Sequence, residues 1–110
     1  VYGDGRQTRD YVYVDDVVAA LVAAATTTGL NRQAINIGYG QETSITELIA
    51  QVEGATGQRA NIIHHAEKSG GVPRLAADIS RARALLGFRP RTNLADGLRL
   101  TLARDSRFAR

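Results

Sequence analysis

A strand-like run that feeds straight into a helix-like run constrains this chain most. Thr8 to Val14 (TRDYVYV) is β-branched and aromatic and alternates with period two, so Tyr11 and Tyr13 share one face and Val12 and Val14 the other. Asp15 or Asp16 then caps a helix through about Thr28, with Gly29 as its stop. Its apolar positions Val18, Leu21, Val22 and Ala25 fall at helical spacing and predict a core-facing stripe. The same handover recurs. Ala34 to Ile37 (AINI) reads as a short buried strand, Gly38-Tyr39-Gly40 turns the chain, and Ser44 with Glu47 makes a capping box for a helix to about Ala55. Ala60 to His64 (ANIIH) reads as a third strand, and Glu67 to Gly71 as a polar loop. Asp78 caps a short helix to Leu86, which Gly87 and Phe88 end in a Schellman turn; beyond Pro90 a last helix runs roughly from Leu94 to Phe108. The order is strand, helix, strand, helix, strand, helix, helix. The crossovers are long enough for parallel pairing, so the fold class is α/β.

Composition narrows the function. At 110 residues the chain is one domain with a modest core. No cysteine is present, which removes disulfides and thiolate metal sites. The two histidines, His64 and His65, are adjacent; strand neighbours point to opposite faces, so no metal is expected. The longest apolar run, Val17 to Ala25, is nine residues, whereas a membrane span needs about twenty. No signal pattern opens the chain, and a cytoplasmic location is expected. The charge is +3, and all the basic residues but Lys68 are arginine. These arginines alternate with acids instead of forming one face, which argues against nucleic acid as a partner. The chain opens on the turn Val1 to Gln7 (VYGDGRQ), without an initiator methionine, and reads as a piece of a longer protein.

Few residues suggest chemistry on their own. Gly38-Tyr39-Gly40-Gln41-Glu42-Thr43 lies where a dinucleotide fingerprint would, but Thr43 stands in place of the third glycine and no acid ends the next strand. It reads first as a strand-to-helix turn, whose helix N-terminus could still face a phosphate. Asp15 and Asp16 are explained by helix capping. Neither a Ser-His-Asp arrangement nor a Gly-x-Ser-x-Gly elbow is present. Arg9 sits between the opening turn and the first strand. It either reaches an anion in the adjacent cleft or pairs with Asp10 or Asp15 at the surface.

Four segments together carry a resemblance. They are GDGRQTRDYVYVDDVVAAL (3–21), INIGYGQETSITEL (35–48), ADISRARALLGFRP (77–90) and LADGLRLTL (94–102). In this order and spacing they resemble the C-terminal part of the extended short-chain dehydrogenase/reductase family, the NAD-dependent nucleotide-sugar epimerases and dehydratases. The resemblance implies the edge of a Rossmann-type sheet, from residues 1–40, and a small substrate-binding lobe, from residues 41–110. It implies NAD as the cofactor of the full-length enzyme, with none bound by this chain alone, because the family's Gly-x-x-Gly-x-x-Gly turn is not in the sequence. Its catalytic Tyr-x-x-x-Lys pair is absent too: Tyr2, Tyr11, Tyr13 and Tyr39 are followed four residues on by Arg6, Asp15, Val17 and Thr43. No catalytic residue is therefore expected here.

The resemblance implies a nucleotide-sugar partner, most simply a UDP-sugar, with UDP-glucose/UDP-galactose 4-epimerisation as the parent reaction and a 4,6-dehydratase as the near alternative. Arg9 matches the diphosphate-gripping arginine of the family's Gln-x-Arg-Asp segment, which also contains Gln7. Tyr2 matches a residue lying along the base, and Asn36 one near the nucleotide. Lys68 replaces a second phosphate-binding arginine, and Gly71 replaces an acid near the ribose. A module that self-associates, or that docks the absent N-terminal region, is the rival expectation.

Overall fold

The computed structural model describes residues 1–108. In chain order it contains β1 (Thr8–Arg9), α1 (Val14–Thr26), β2 (Thr43–Ser44), α2 (Ile45–Thr56), α3 (Ser80–Leu86) and α4 (Leu94–Arg104), then a 3-10 turn at Ser106–Phe108. This is a mixed α/β arrangement, drawn out into a slab 49 × 36 × 17 Å in extent. α1 packs on α3, and α2 packs on α4.

The helix boundaries follow local chemistry. α2 starts with the full capping box: Ser44 Oγ accepts from the Glu47 amide at 3.1 Å, and Glu47 Oε2 accepts from the Ser44 amide at 2.9 Å. α3 ends as expected, with the Phe88 amide on the Ala82 carbonyl at 3.2 Å and the Gly87 amide on the Arg83 carbonyl at 3.1 Å. Asp78 is not the cap of α3: the N-cap is Ile79, which makes no side-chain cap bond. Asp78, one residue earlier, accepts the Ser80 amide at 3.0 Å, its contacts with Ser80 holding its carboxyl below the ordinary range.

Tertiary contacts overturn other expectations. The strand predicted over Thr8–Val14 pairs only at Thr8–Arg9. It lies antiparallel to β2, Thr8 opposite Ser44 and Arg9 opposite Thr43, and is not part of a parallel ladder. The Ala34–Ile37 and Ala60–His64 segments form no ladder either; a single parallel bridge joins His65 to Tyr2 instead. A strand exists through its neighbour's hydrogen bonds. Among the described residues, no ladder hydrogen bond reaches residues 10–13 or 34–37.

Neither Asp15 nor Asp16 caps α1. The N-cap is Tyr13, which makes no side-chain cap bond. Asp16 is buried and accepts the Arg91 and Thr92 amides, both at 3.1 Å, while Asp15 pairs with Arg104 at 2.8 Å. The α1 stripe is apolar at the predicted positions but does not face the core: Val18, Leu21 and Val22 are exposed, Leu21 by 65%. The face that packs holds Ala20, which meets Ile79, Ala82 and Phe88 in a small core. The last helix stops at Arg104, short of Phe108, because Asp105 leaves helical geometry and its carboxylate takes the Arg107 amide and guanidinium. Among the described residues, no helix is long and apolar enough to cross a membrane.

Candidate functional site

Residues 8–10 hold the stretch 70–77 in place, and the site is built on that attachment. The Thr8 amide donates to the Pro73 carbonyl at 2.9 Å, and the Leu75 amide donates to Thr8 Oγ1 at 3.3 Å. Arg9 Nη1 donates to the carbonyls of Thr8 at 2.6 Å and Val72 at 2.7 Å, and Nη2 donates to Gly70 at 2.6 Å. Strand neighbours point oppositely, so Asp10 reaches the other way. Its Oδ1 accepts the Tyr39 amide at 2.7 Å, and its Oδ2 accepts the Gly40 amide at 2.9 Å and the Ala77 amide at 3.0 Å. Gly38 makes this approach possible: a Cβ there would stand 2.6 Å from the Ala77 Cβ and 2.9 Å from Asp10 Oδ2. Glu42 adds an outer tie, taking Arg74 through Nε and Nη2 and the Thr8 hydroxyl. The Arg74 guanidinium, partly offset by burial, holds the Glu42 carboxyl below its ordinary range and in return is itself raised.

A groove of about 1040 Å³ lies between this attached stretch and the opening turn, with Gln7, His64, Lys68, Gly70 and Arg74 in its walls. Gln7 Nε2 donates to the Tyr2 carbonyl at 3.0 Å. Lys68 Nζ stands over the Tyr2 ring, 5.2 Å from its centroid, and the His65 ring meets Tyr2 edge-on at 6.2 Å. His64 Nδ1 donates to the Gly3 carbonyl at 3.0 Å. Gly71 has φ +80, a left-handed conformation in which a side chain is strained. An acid at this turn would therefore strain the backbone.

The structure places Gln7 and Lys68 in the groove lining; Tyr2 contacts both from outside that lining, and Arg9, also outside it, donates to the Gly70 and Val72 carbonyls. Asn36 is exposed and is not among the residues that line the groove. Arg9 makes no ion pair with Asp10 or Asp15, because Asp10 is taken up by three amides and Asp15 by Arg104. Three of the five guanidinium hydrogens of Arg9 go to carbonyls. The Nε hydrogen and one on Nη2 have no partner among the described residues.

Sequence reasoning missed Asp10, Gly38 and Glu42. For Asp10 a signal existed: a lone acid inside a strand pattern, opposite in direction to its arginine. The Gly38-Tyr39-Gly40 turn cannot serve as a cofactor pyrophosphate site, because the Tyr39 and Gly40 amides that a phosphate would need are donated to Asp10. That turn therefore does not fit the pyrophosphate of NAD.

Comparison with known proteins gives the chain its relatives. The family model described as GDP-mannose 4,6 dehydratase matches residues 1–101. A UDP-glucose 4-epimerase of Mycolicibacterium smegmatis is 42% identical over 102 residues, covering 93% of this chain and 32% of the relative. The fold is similar to a UDP-glucuronic acid 4-epimerase from Bacillus cereus, solved with UDP-glucuronic acid and NAD: TM-score 0.81 and 37% identity over 89% of this chain and 32% of that one. It is similar as well to a Thermotoga maritima UDP-glucose 4-epimerase solved with UDP-glucose: TM-score 0.82 and 35% identity over 92% of this chain and 32% of that one. The chain thus spans about a third of the length of the proteins it matches.

Proposed function

The chain belongs to the GDP-mannose 4,6-dehydratase family of NAD-dependent extended short-chain dehydrogenases/reductases, which act as nucleotide-sugar epimerases and dehydratases, and from that membership we propose that it forms the nucleotide-sugar-binding part of a longer cytoplasmic epimerase. Residues 1–40 would border the cofactor-binding sheet, and residues 41–110 would form the substrate lobe. The parent reaction would be 4-epimerisation of UDP-glucose and UDP-galactose. NAD and the proton-transferring pair would be held by the remainder of such an enzyme, and no step of the chemistry is assigned to a residue of this chain.

One observation carries this reading: Gln7 and Lys68 line one groove and each contacts Tyr2, and Arg9 is tied to the Gly70 carbonyl of its wall with two donors free. The anchoring carbonyls restrain the guanidinium, so less side-chain entropy is lost when it meets an anion. A diphosphate offers charge to Arg9 and Lys68, and the Tyr2 ring offers a flat apolar face to a base. Asn36 would join only from the rim. The test is a UDP titration followed by amide NMR. Shifts at Tyr2, Gln7, Arg9 and Lys68 are expected, and Arg9→Ala should weaken UDP by about ten- to a hundred-fold, the loss of one charge-assisted contact. Affinity unchanged in Arg9→Ala would overturn the assignment.

A second reading, an assembly module, is favoured by the exposed Val14, Val18, Leu21 and Val22 on α1. In the epimerase reading the N-terminal region of the longer protein covers this face; in the assembly reading a second copy does. Size-exclusion chromatography separates them. A monomer at every concentration is expected, and a dimer that Leu21→Glu dissociates would favour assembly.

A further inference from the structure

We propose that the notch between the Tyr39–Gln41 turn and the end of α3 binds a phosphate group at a place separate from the nucleotide groove. The notch encloses about 450 Å³, and its walls are Tyr39, Gln41, Arg83, Arg89 and Pro90. No acid is among them. The Tyr39 hydroxyl, the Gln41 amide and both guanidinium groups make no hydrogen bond or ion pair with other described residues. Of the other described arginines, Arg6, Arg74, Arg99, Arg104 and Arg107 each meet a carboxylate and Arg9 and Arg81 donate to carbonyls; the side chains of Arg32, Arg59 and Arg91 make no such bond either, but none of the three lines this notch. Here two unspent arginines share one concavity with two further hydrogen-bonding side chains.

The frame around the notch is held from both sides. Asp10 fixes the Tyr39 and Gly40 amides, and Gly40 packs so closely that a Cβ would stand 2.9 Å from Ile79 Cδ1. Asp16 fixes the Arg91 and Thr92 amides just after Pro90, and Arg83 follows Ala82, which is fully buried. Because the turn's amides are donated to Asp10, recognition falls to side chains. Two like charges on a concave wall raise the local positive potential, and an anion between them relieves it. Guanidinium forks match phosphate oxygens, and the phenol and amide can donate to those left over.

The probe is inorganic phosphate, titrated into the 110-residue chain at constant ionic strength with chloride as the control. Phosphate is expected to shift the amides of Tyr39, Gly40, Gln41 and Arg89, and chloride is not. Arg83→Gln combined with Arg89→Gln should weaken this response at least about tenfold. Lysine at both positions keeps the charge and should restore part of it. In Arg9→Gln the response at 39–41 should persist whatever happens at the groove, so failure here and failure of the nucleotide reading are told apart. Equal shifts with chloride, or a phosphate response undiminished in the double glutamine variant, would overturn the proposal.

Discussion

Replacing Asp10 by alanine is expected to cost the chain about 3 kcal/mol or more and to release the 38–40 turn from the 77 segment. The carboxylate accepts three amides between 2.7 and 3.0 Å, from positions 29, 30 and 67 residues away. Bonds to a charged group contribute about 1.5–3 kcal/mol each, and partial solvent access to the freed amides returns part of their sum. The remainder is a large share of a typical domain's 5–15 kcal/mol. Urea unfolding should show a lower midpoint at unchanged slope, and amide exchange should quicken at Tyr39, Gly40 and Ala77 together. Asp10→Asn keeps an acceptor oxygen without the charge and should fall between the two. UDP affinity should drop as well, although Asp10 lies away from the groove, because Arg9 is its chain neighbour. Protection left intact at all three amides would show that the segments are held by other contacts.

Phe88→Ala is expected to abolish cooperative unfolding of the isolated chain. The core is Ala20, Ile79, Ala82 and Phe88, and Phe88, 5% exposed, is its largest member. Emptying such a site costs about 3–5 kcal/mol, from lost burial and from the cavity left behind. A core this small leaves little reserve, and the exposed α1 stripe adds none. Phe88→Leu keeps most of the volume and should preserve a transition. Thermal melts followed by circular dichroism decide the matter: a sharp Phe88→Ala transition within about 1 kcal/mol of the parent chain would mean that the packing of α1 on α3 is not what holds the fold.

The candidate site divides the same way. The Gln7-Thr8-Arg9-Asp10 segment marked the place where an anion could be held, and the order of the four family-like segments marked the class of enzyme. Asp10 itself read only as a possible ion-pair partner of Arg9. Its true partners lie in two distant loops, and nothing within a few residues of it announces them. Asn36, placed near the nucleotide by resemblance alone, lies outside the groove lining. Lys68 was legible as a charge near the site, but its position over the Tyr2 ring depends on the bridge between Tyr2 and His65.

By itself the sequence determined two helix ends that close over a few residues, though not the start of α1, where neither Asp15 nor Asp16 caps. The Ser44–Glu47 box and the Gly87–Phe88 ending form from residues at most six apart, so their chemistry is written locally. Periodicity likewise told which face of α1 is apolar. Only the tertiary structure decided what that face meets, which strands find a ladder, and where Arg9, Asp10 and Asp16 send their hydrogen bonds. Those bonds join groups as many as 76 residues apart. Their energy depends on a close approach that no local propensity encodes: an amide or a carbonyl has no preference for one distant carboxylate or guanidinium until packing brings it there.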